Sequence, residues 1–190
     1  MNLPGLDRPL VEDFGGMKMI KAAAAIAAFG ACAVASAQGD RLDTTPSGLS
    51  VRAGIAISMD SSLTNSLGSS LIGLGIEYRF STNLIKSGET YLAIDYMTKN
   101  FGGARGSILP ITVNQRWFSM KPGRTLRTYG FLGLGIAIVD IIDSGTTLCF
   151  RGGLGMELGG STFAEIALTV AEARNGIKPN TVGIYFGYRF

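Results

Sequence analysis

Between Leu49 and Phe190, large apolar residues recur at every second position through eight separate segments. Period two is the spacing of one face of a β-strand, so these segments read as strands with two unlike faces. The pattern is clearest at Asn180–Phe190, where Val182, Ile184, Phe186, Tyr188 and Phe190 alternate with Gly183, Tyr185, Gly187 and Arg189. The other predicted strands are Leu49–Met59, Ser70–Phe80, Glu89–Lys99, Ser107–Phe118, Leu126–Val139, Thr147–Leu158 and Thr162–Glu172. Between them lie Lys-Pro-Gly, Gly-Gly-Ser and other polar or glycine-containing connections, including Asp60–Ser69 and Asp140–Thr146. Eight strands with short links predict an antiparallel meander. Pro110 fits poorly inside a strand, since it lacks an N–H, but a rim or bulge tolerates it.

The two faces differ in kind. One is almost continuously Leu, Ile, Val and aromatic. The other carries Arg52, Glu77, Arg79, Asp95, Arg116, Arg127, Arg151, Glu157, Glu165 and Arg189. A soluble barrel of this pattern would bury those charges or wet the apolar face. A membrane barrel turns the apolar face to lipid and the charges to the lumen. A one-residue slip would exchange the faces, and each Arg at the bilayer midplane would then cost about 2–4 kcal/mol. About 11 residues at roughly 3.3 Å each, tilted roughly 40°, span on the order of 28 Å. The expected fold is therefore all-β, an eight-stranded antiparallel up-and-down transmembrane β-barrel over residues 49–190.

The amino-terminal region reads as an export signal. Met17–Ala37 has Lys18 and Lys21, then an apolar run from Ala22 to Val34, then Ala35-Ser36-Ala37 as a small-x-small cleavage site. Residues 1–16 look unlike a signal peptide, as if the start lay too far upstream. Residues 38–48 read as a short periplasmic leader. A second possibility is lipidation at Cys32, but Phe29 suits such a cleavage box poorly. With cleavage after Ala37, Cys149 is alone and has no internal disulfide partner.

The signal segment, the eight strands and the terminal Tyr-Arg-Phe resemble the small outer-membrane barrels of the outer-membrane protein A and X type. The resemblance implies an outer-membrane location. It also implies that Tyr188 and Phe190 form the signal read by the barrel-assembly machinery. With the amino terminus in the periplasm, Tyr78, Phe80 and Trp117 gather at the same rim as these two, which suggests an interfacial aromatic girdle. The expected partners are outer-membrane lipid and the assembly machinery; the sequence does not disclose the oligomeric state, for which a monomer is the default expectation.

Chemistry is limited by composition. The chain has no His, whereas outer-membrane barrel enzymes of known type use one. Gly73-Leu74-Gly75 and Gly133-Leu134-Gly135 lack the rest of a nucleotide loop and read as lumen glycines. Asp140 and Asp143 read as a solvated loop in preference to a cation site, and neither metal nor cofactor is expected. The net charge of +3 is spread over dispersed basic residues, so the pI of 9.0 does not indicate nucleic-acid binding. The leading expectation is a non-enzymatic barrel with a structural or surface-interaction role, its lumen plugged by Arg pairing with Glu and Asp. The alternatives are a narrow Arg-lined channel for small, possibly anionic solutes, and a lipid-modifying enzyme that works without His.

Overall fold

Alternating side chains can satisfy two environments only if the strands close on themselves. The computed structural model has them doing so. It describes residues 48–81, 84–85, 88–99, 106–119, 127–159 and 161–190. The expectations for the signal segment, Cys32 and nearly all of the leader lie outside the described residues, as does the Lys-Pro-Gly turn. The strands are β1 (Leu49–Ser58), β2 (Ser70–Arg79), β3 (Glu89–Thr98), β4 (Ser107–Phe118), β5 (Arg127–Asp140), β6 (Ser144–Gly159), β7 (Thr162–Ala171) and β8 (Thr181–Arg189). Each pairs antiparallel with its sequence neighbours, and β8 pairs with β1 from Ser50↔Arg189 to Ser58↔Thr181, closing the barrel.

Closure sorts the side chains as the alternation requires. Leu132, Leu154 and Phe186 point outward and are 64%, 71% and 64% exposed. Arg52, Glu77, Asp95, Arg116, Arg151 and Glu165 point inward and are buried. The outer surface is thus a continuous apolar belt, the surface a bilayer wets. Pro110 lies four residues into β4. The β3–β4 ladder skips Leu109 and Pro110 but resumes in the same register, whereas the β4–β5 ladder is unbroken there. The missing N–H therefore interrupts one edge of one strand without a slip.

The structure corrects two of the connections at the end of the barrel opposite the rim where β8 ends. The first, Asp60–Ser69, was expected to be a polar loop. It contains a helix, α1 (Ser61–Leu67). Asp60 caps it by accepting the Ser62 backbone N–H at 3.0 Å, and Gly68, with φ 101°, ends it. Leu63 and Leu67, four apart, share its inner face and are fully buried, which is what recruits so short a segment into a helix. The second, Asp140–Thr146, shrinks to a tight hairpin because β6 begins at Ser144, opposite Asp140.

The Ser62 hydroxyl and backbone N–H both donate to Asp60 and hold its carboxyl below the ordinary value of 3.8. A folded-state pKa below the unfolded one adds stability above the unfolded value and loses it as pH falls through the folded one. Amide exchange protection across Ser61–Leu67 should therefore drop as the solution is taken from about pH 6 to about pH 2. Asp60→Asn, which keeps a capping oxygen, should flatten that dependence. Equal pH dependence in both proteins would discount the cap.

Candidate functional site

The lumen is the candidate site, and it has three layers. At its middle is an ionic hub. Arg52 donates from Nε and Nη2 to Asp95 Oδ1 at 2.9 and 2.7 Å, from Nη2 to Asp95 Oδ2 at 2.8 Å, and from Nη1 to Glu165 Oε1 at 3.2 Å. Its Nη1 also donates to Glu77. Arg116 Nη2 reaches the other oxygen of Glu77 at 2.7 Å. Arg151 donates to Glu165 from Nη2 and lies 3.4 Å from Asp95 through Nε. Three guanidiniums thus face three carboxylates, so the hub is electrically balanced. Charges buried this deeply require such pairing, because the loss of hydration is otherwise uncompensated.

Aromatic rings wall the hub. The guanidinium carbon of Arg116 lies 4.2 Å from the Tyr91 ring centre and 4.6 Å from that of Tyr129. Those of Arg151 and Arg52 lie 4.5 Å from Phe131 and 5.4 Å from Tyr185. Cation–π contacts add to the pairing once the cation is desolvated. The rings fit because glycine lies beneath them. Phe131 pairs across the ladder with Gly153, Tyr129 with Gly155 and Phe163 with Gly187, and a Cβ on any of these glycines would meet the ring.

The second layer lies toward the rim holding the carboxyl terminus. Here Arg127 pairs with Glu157 at 3.3 Å, Arg189 also pairs with Glu157, and Arg79 and Arg116 approach Glu89 at 3.3 and 3.8 Å. Apart from Arg116, these groups are more exposed than the hub, Arg79 most of all. The structure places Arg52, Glu77, Asp95, Arg116, Arg151 and Glu165 in the hub and Arg79, Arg127, Glu157 and Arg189 at this more exposed rim. Glu89, which the sequence reading did not single out, joins them because it pairs across the ladder with Arg116.

The third layer, at the opposite end, is apolar. Ala56, Leu71, Met97, Ile108, Ala137, Val139, Cys149 and Ala171 fill the lumen there. Leu63 and Leu67 of α1 cover them, together with Ile177 from the β7–β8 connection. Ile177 is turned inward by a hairpin at Arg174–Ile177, whose central Asn175 and Gly176 have φ of 51° and 77°. Two consecutive positive φ values are what an Asn-Gly pair accommodates. This apolar cap was not legible in the alternation, since inward-facing apolar residues look like lapses in the pattern.

The remaining expected residues lie on the outer surface or in connections. Tyr78 and Phe80 meet edge to face at 5.9 Å between ring centres, and Tyr188 and Phe190 at 5.1 Å, both pairs at the rim holding the carboxyl terminus. Trp117 is half-buried one residue from the end of β4. Asp140 ends β5, and Asp143 lies in the hairpin after it. Among the described residues, no three His, Cys, Asp or Glu side chains are grouped to hold a metal ion.

No protein-family model matches the chain, and no curated protein matches its sequence. Solved structures do resemble it. The outer membrane enzyme PagL aligns at 13% identity over 74% of this chain and 98% of its own, with a TM-score of 0.51. The amino-terminal barrel domain of Pseudomonas aeruginosa OprF aligns at 18% identity over 76% and 98%, with a TM-score of 0.48. Ail of Yersinia pestis, solved in a phospholipid bilayer nanodisc, aligns at 16% identity over 75% and 98%, with a TM-score of 0.46. At such identities the likeness is one of fold. By its closed eight-stranded meander and its outward apolar belt, the chain has the fold of the small outer-membrane β-barrels.

Proposed function

We propose that this protein is a non-enzymatic, non-conducting barrel that serves the outer membrane as a structural or surface-interaction element. The observation that carries this reading is the filling of the lumen from hub to cap. The hub is buried and its charges are matched, so it offers no net charge to draw an anion through. The cap seals the next layer with apolar side chains. An eight-stranded barrel has little room besides its own side chains, and here they occupy it. Among the described residues, the end carrying α1 and the β5–β6 and β7–β8 connections is what remains for recognition.

In planar bilayers the reconstituted protein should give no steady conductance. Stable anion-selective openings would replace this reading with the channel. Lipid analysis of membranes with and without the protein addresses the enzymatic alternative: a modified lipid that appears only with the protein would establish it.

Tyr188 and Phe190 are proposed as the assembly signal, the role their alternation at the end of the last strand implies in similar barrels. Deleting Phe190 should lower the amount of barrel in the membrane by several-fold and leave refolding into detergent intact. The readout is the heat-modifiable gel band, and a wild-type level in membranes would remove the assignment.

A further inference from the structure

The wall runs short of acid at the rim where β8 ends. In the hub, three carboxylates match three guanidiniums. At the rim, among the described residues, Arg79, Arg127 and Arg189 pair only with Glu89 and Glu157. Both acids are shared, Glu157 between Arg127 and Arg189, and Glu89 between Arg79 and Arg116. The terminal carboxylate does not make up the difference. Phe190 packs on Tyr188, and among the described residues no ion pair joins it to these arginines. The rim therefore lacks one carboxylate, and Arg79, its side chain 39% exposed, is the arginine most open to receive it.

The chain enters the barrel beside that arginine. The Arg79 backbone N–H donates to the Gly48 carbonyl at 2.6 Å, and a Cβ on Gly48 would lie 3.5 Å from the Arg79 Cβ. On the other side of β1, Ser50 pairs across the ladder with Arg189. The chain before Gly48 thus meets the wall between two of the three rim arginines. Residues 38–47, which lie outside the described residues, read QGDRLDTTPS. Their acid nearest the wall is Asp43, five positions before Gly48. Five residues extend up to about 17 Å, so Asp43 reaches Arg79 without tension.

We propose that the leader folds back on this rim and that the Asp43 carboxylate pairs with the Arg79 guanidinium, supplying the acid the wall lacks. Attachment at Gly48 favours this occupant, because a short tether holds a group at an effective concentration on the order of millimolar. The guanidinium fork also suits the two oxygens of a carboxylate. Arg41 lies two residues before Asp43 and has no acid to meet at the rim, so it stays in solvent. Held in this way, the leader is not a free tether reaching into the periplasm. The contact goes beyond the plugged lumen, which is built from side chains of the barrel alone.

Arg41 makes the leader a trypsin substrate, so cleavage after it reports whether the leader is held. Mass spectrometry follows that cleavage on the detergent-folded barrel, and each rate is divided by that of a free peptide with the same residues 38–48. Arg79→Gln leaves the leader unchanged and should speed cleavage about threefold, the scale of one partly exposed ion pair. Glu89→Gln removes the acid that competes for Arg79, so it should slow cleavage about twofold below wild type. A general loosening of the rim would speed cleavage in both, so the opposite signs identify the contact. About 1 M salt should bring wild type to the Arg79→Gln rate. If a wall variant fails to fold, as judged by the heat-modifiable band, Asp43→Asn lies outside the barrel and should match the rate expected of Arg79→Gln. Wild-type cleavage as fast as that of Arg79→Gln or Asp43→Asn overturns the contact, and so does Glu89→Gln cleavage no slower than wild type. Protection that disappears on dilution overturns it too, because the leader would then dock on a second copy. An unprotected leader on a non-conducting barrel removes this contact alone, whereas steady conductance with a protected leader removes the plugged lumen alone.

Discussion

Arg52→Ala should destabilise the barrel by about 3–5 kcal/mol, the cost of breaking a buried ion pair from one side. Arg52 is the only guanidinium in the hub that touches Glu77, Asp95 and Glu165 together, and its side chain is fully buried. Its removal leaves three buried carboxylates to share Arg116 and Arg151. The comparison is Arg79→Ala. Arg79 pairs with Glu89 at the rim and is 39% exposed, so solvent screens it and its loss should cost less than about 1 kcal/mol. Reversible urea unfolding in detergent or lipid measures both. Equal shifts for the two variants would mean that the hub is wet, and the plugged lumen would fall with it.

Leu134→Arg should cost about 2–4 kcal/mol in a bilayer, because it places a guanidinium on the lipid face near the middle of β5. The same substitution at Leu158, near the rim end of β6, should cost only about 0–1 kcal/mol, since the side chain can reach the interface there. The depth dependence is the informative part. A soluble barrel would accept Arg at either exposed position with little penalty. Folding equilibria in phospholipid vesicles decide the matter, and equal costs at the two sites would argue that no hydrocarbon surrounds the belt.

The strands were legible because period two leaves a strong mark when both faces are long and chemically unlike. β4 has the bounds that its sequence suggests, and the other strands differ by up to a few residues. The same alternation showed which charges face inward, from Arg52 to Arg189. Pro110 was legible as an irregularity, and its effect is the local one that a missing N–H produces. Helix α1 was not legible. Seven residues show hardly two helical turns, and their one periodic sign is the pair Leu63 and Leu67 behind the capping Asp60. Ser, Thr and Asn there suit a loop equally well, so tertiary burial of the two leucines decides the outcome. The early start of β6 was hidden likewise, since Ser144-Gly145-Thr146 becomes strand only by pairing with β5.

Which charges meet could not be read along the chain. Arg52 and Glu165 are separated by 113 positions and become neighbours only when β8 closes on β1 and the lumen narrows to side-chain width. The local pattern thus determined the strands, their two faces and the lipid-facing belt, because alternation depends only on neighbouring residues. Tertiary closure alone decided the balance of the hub and the apolar cap at one mouth, because each depends on the distance between residues on different strands.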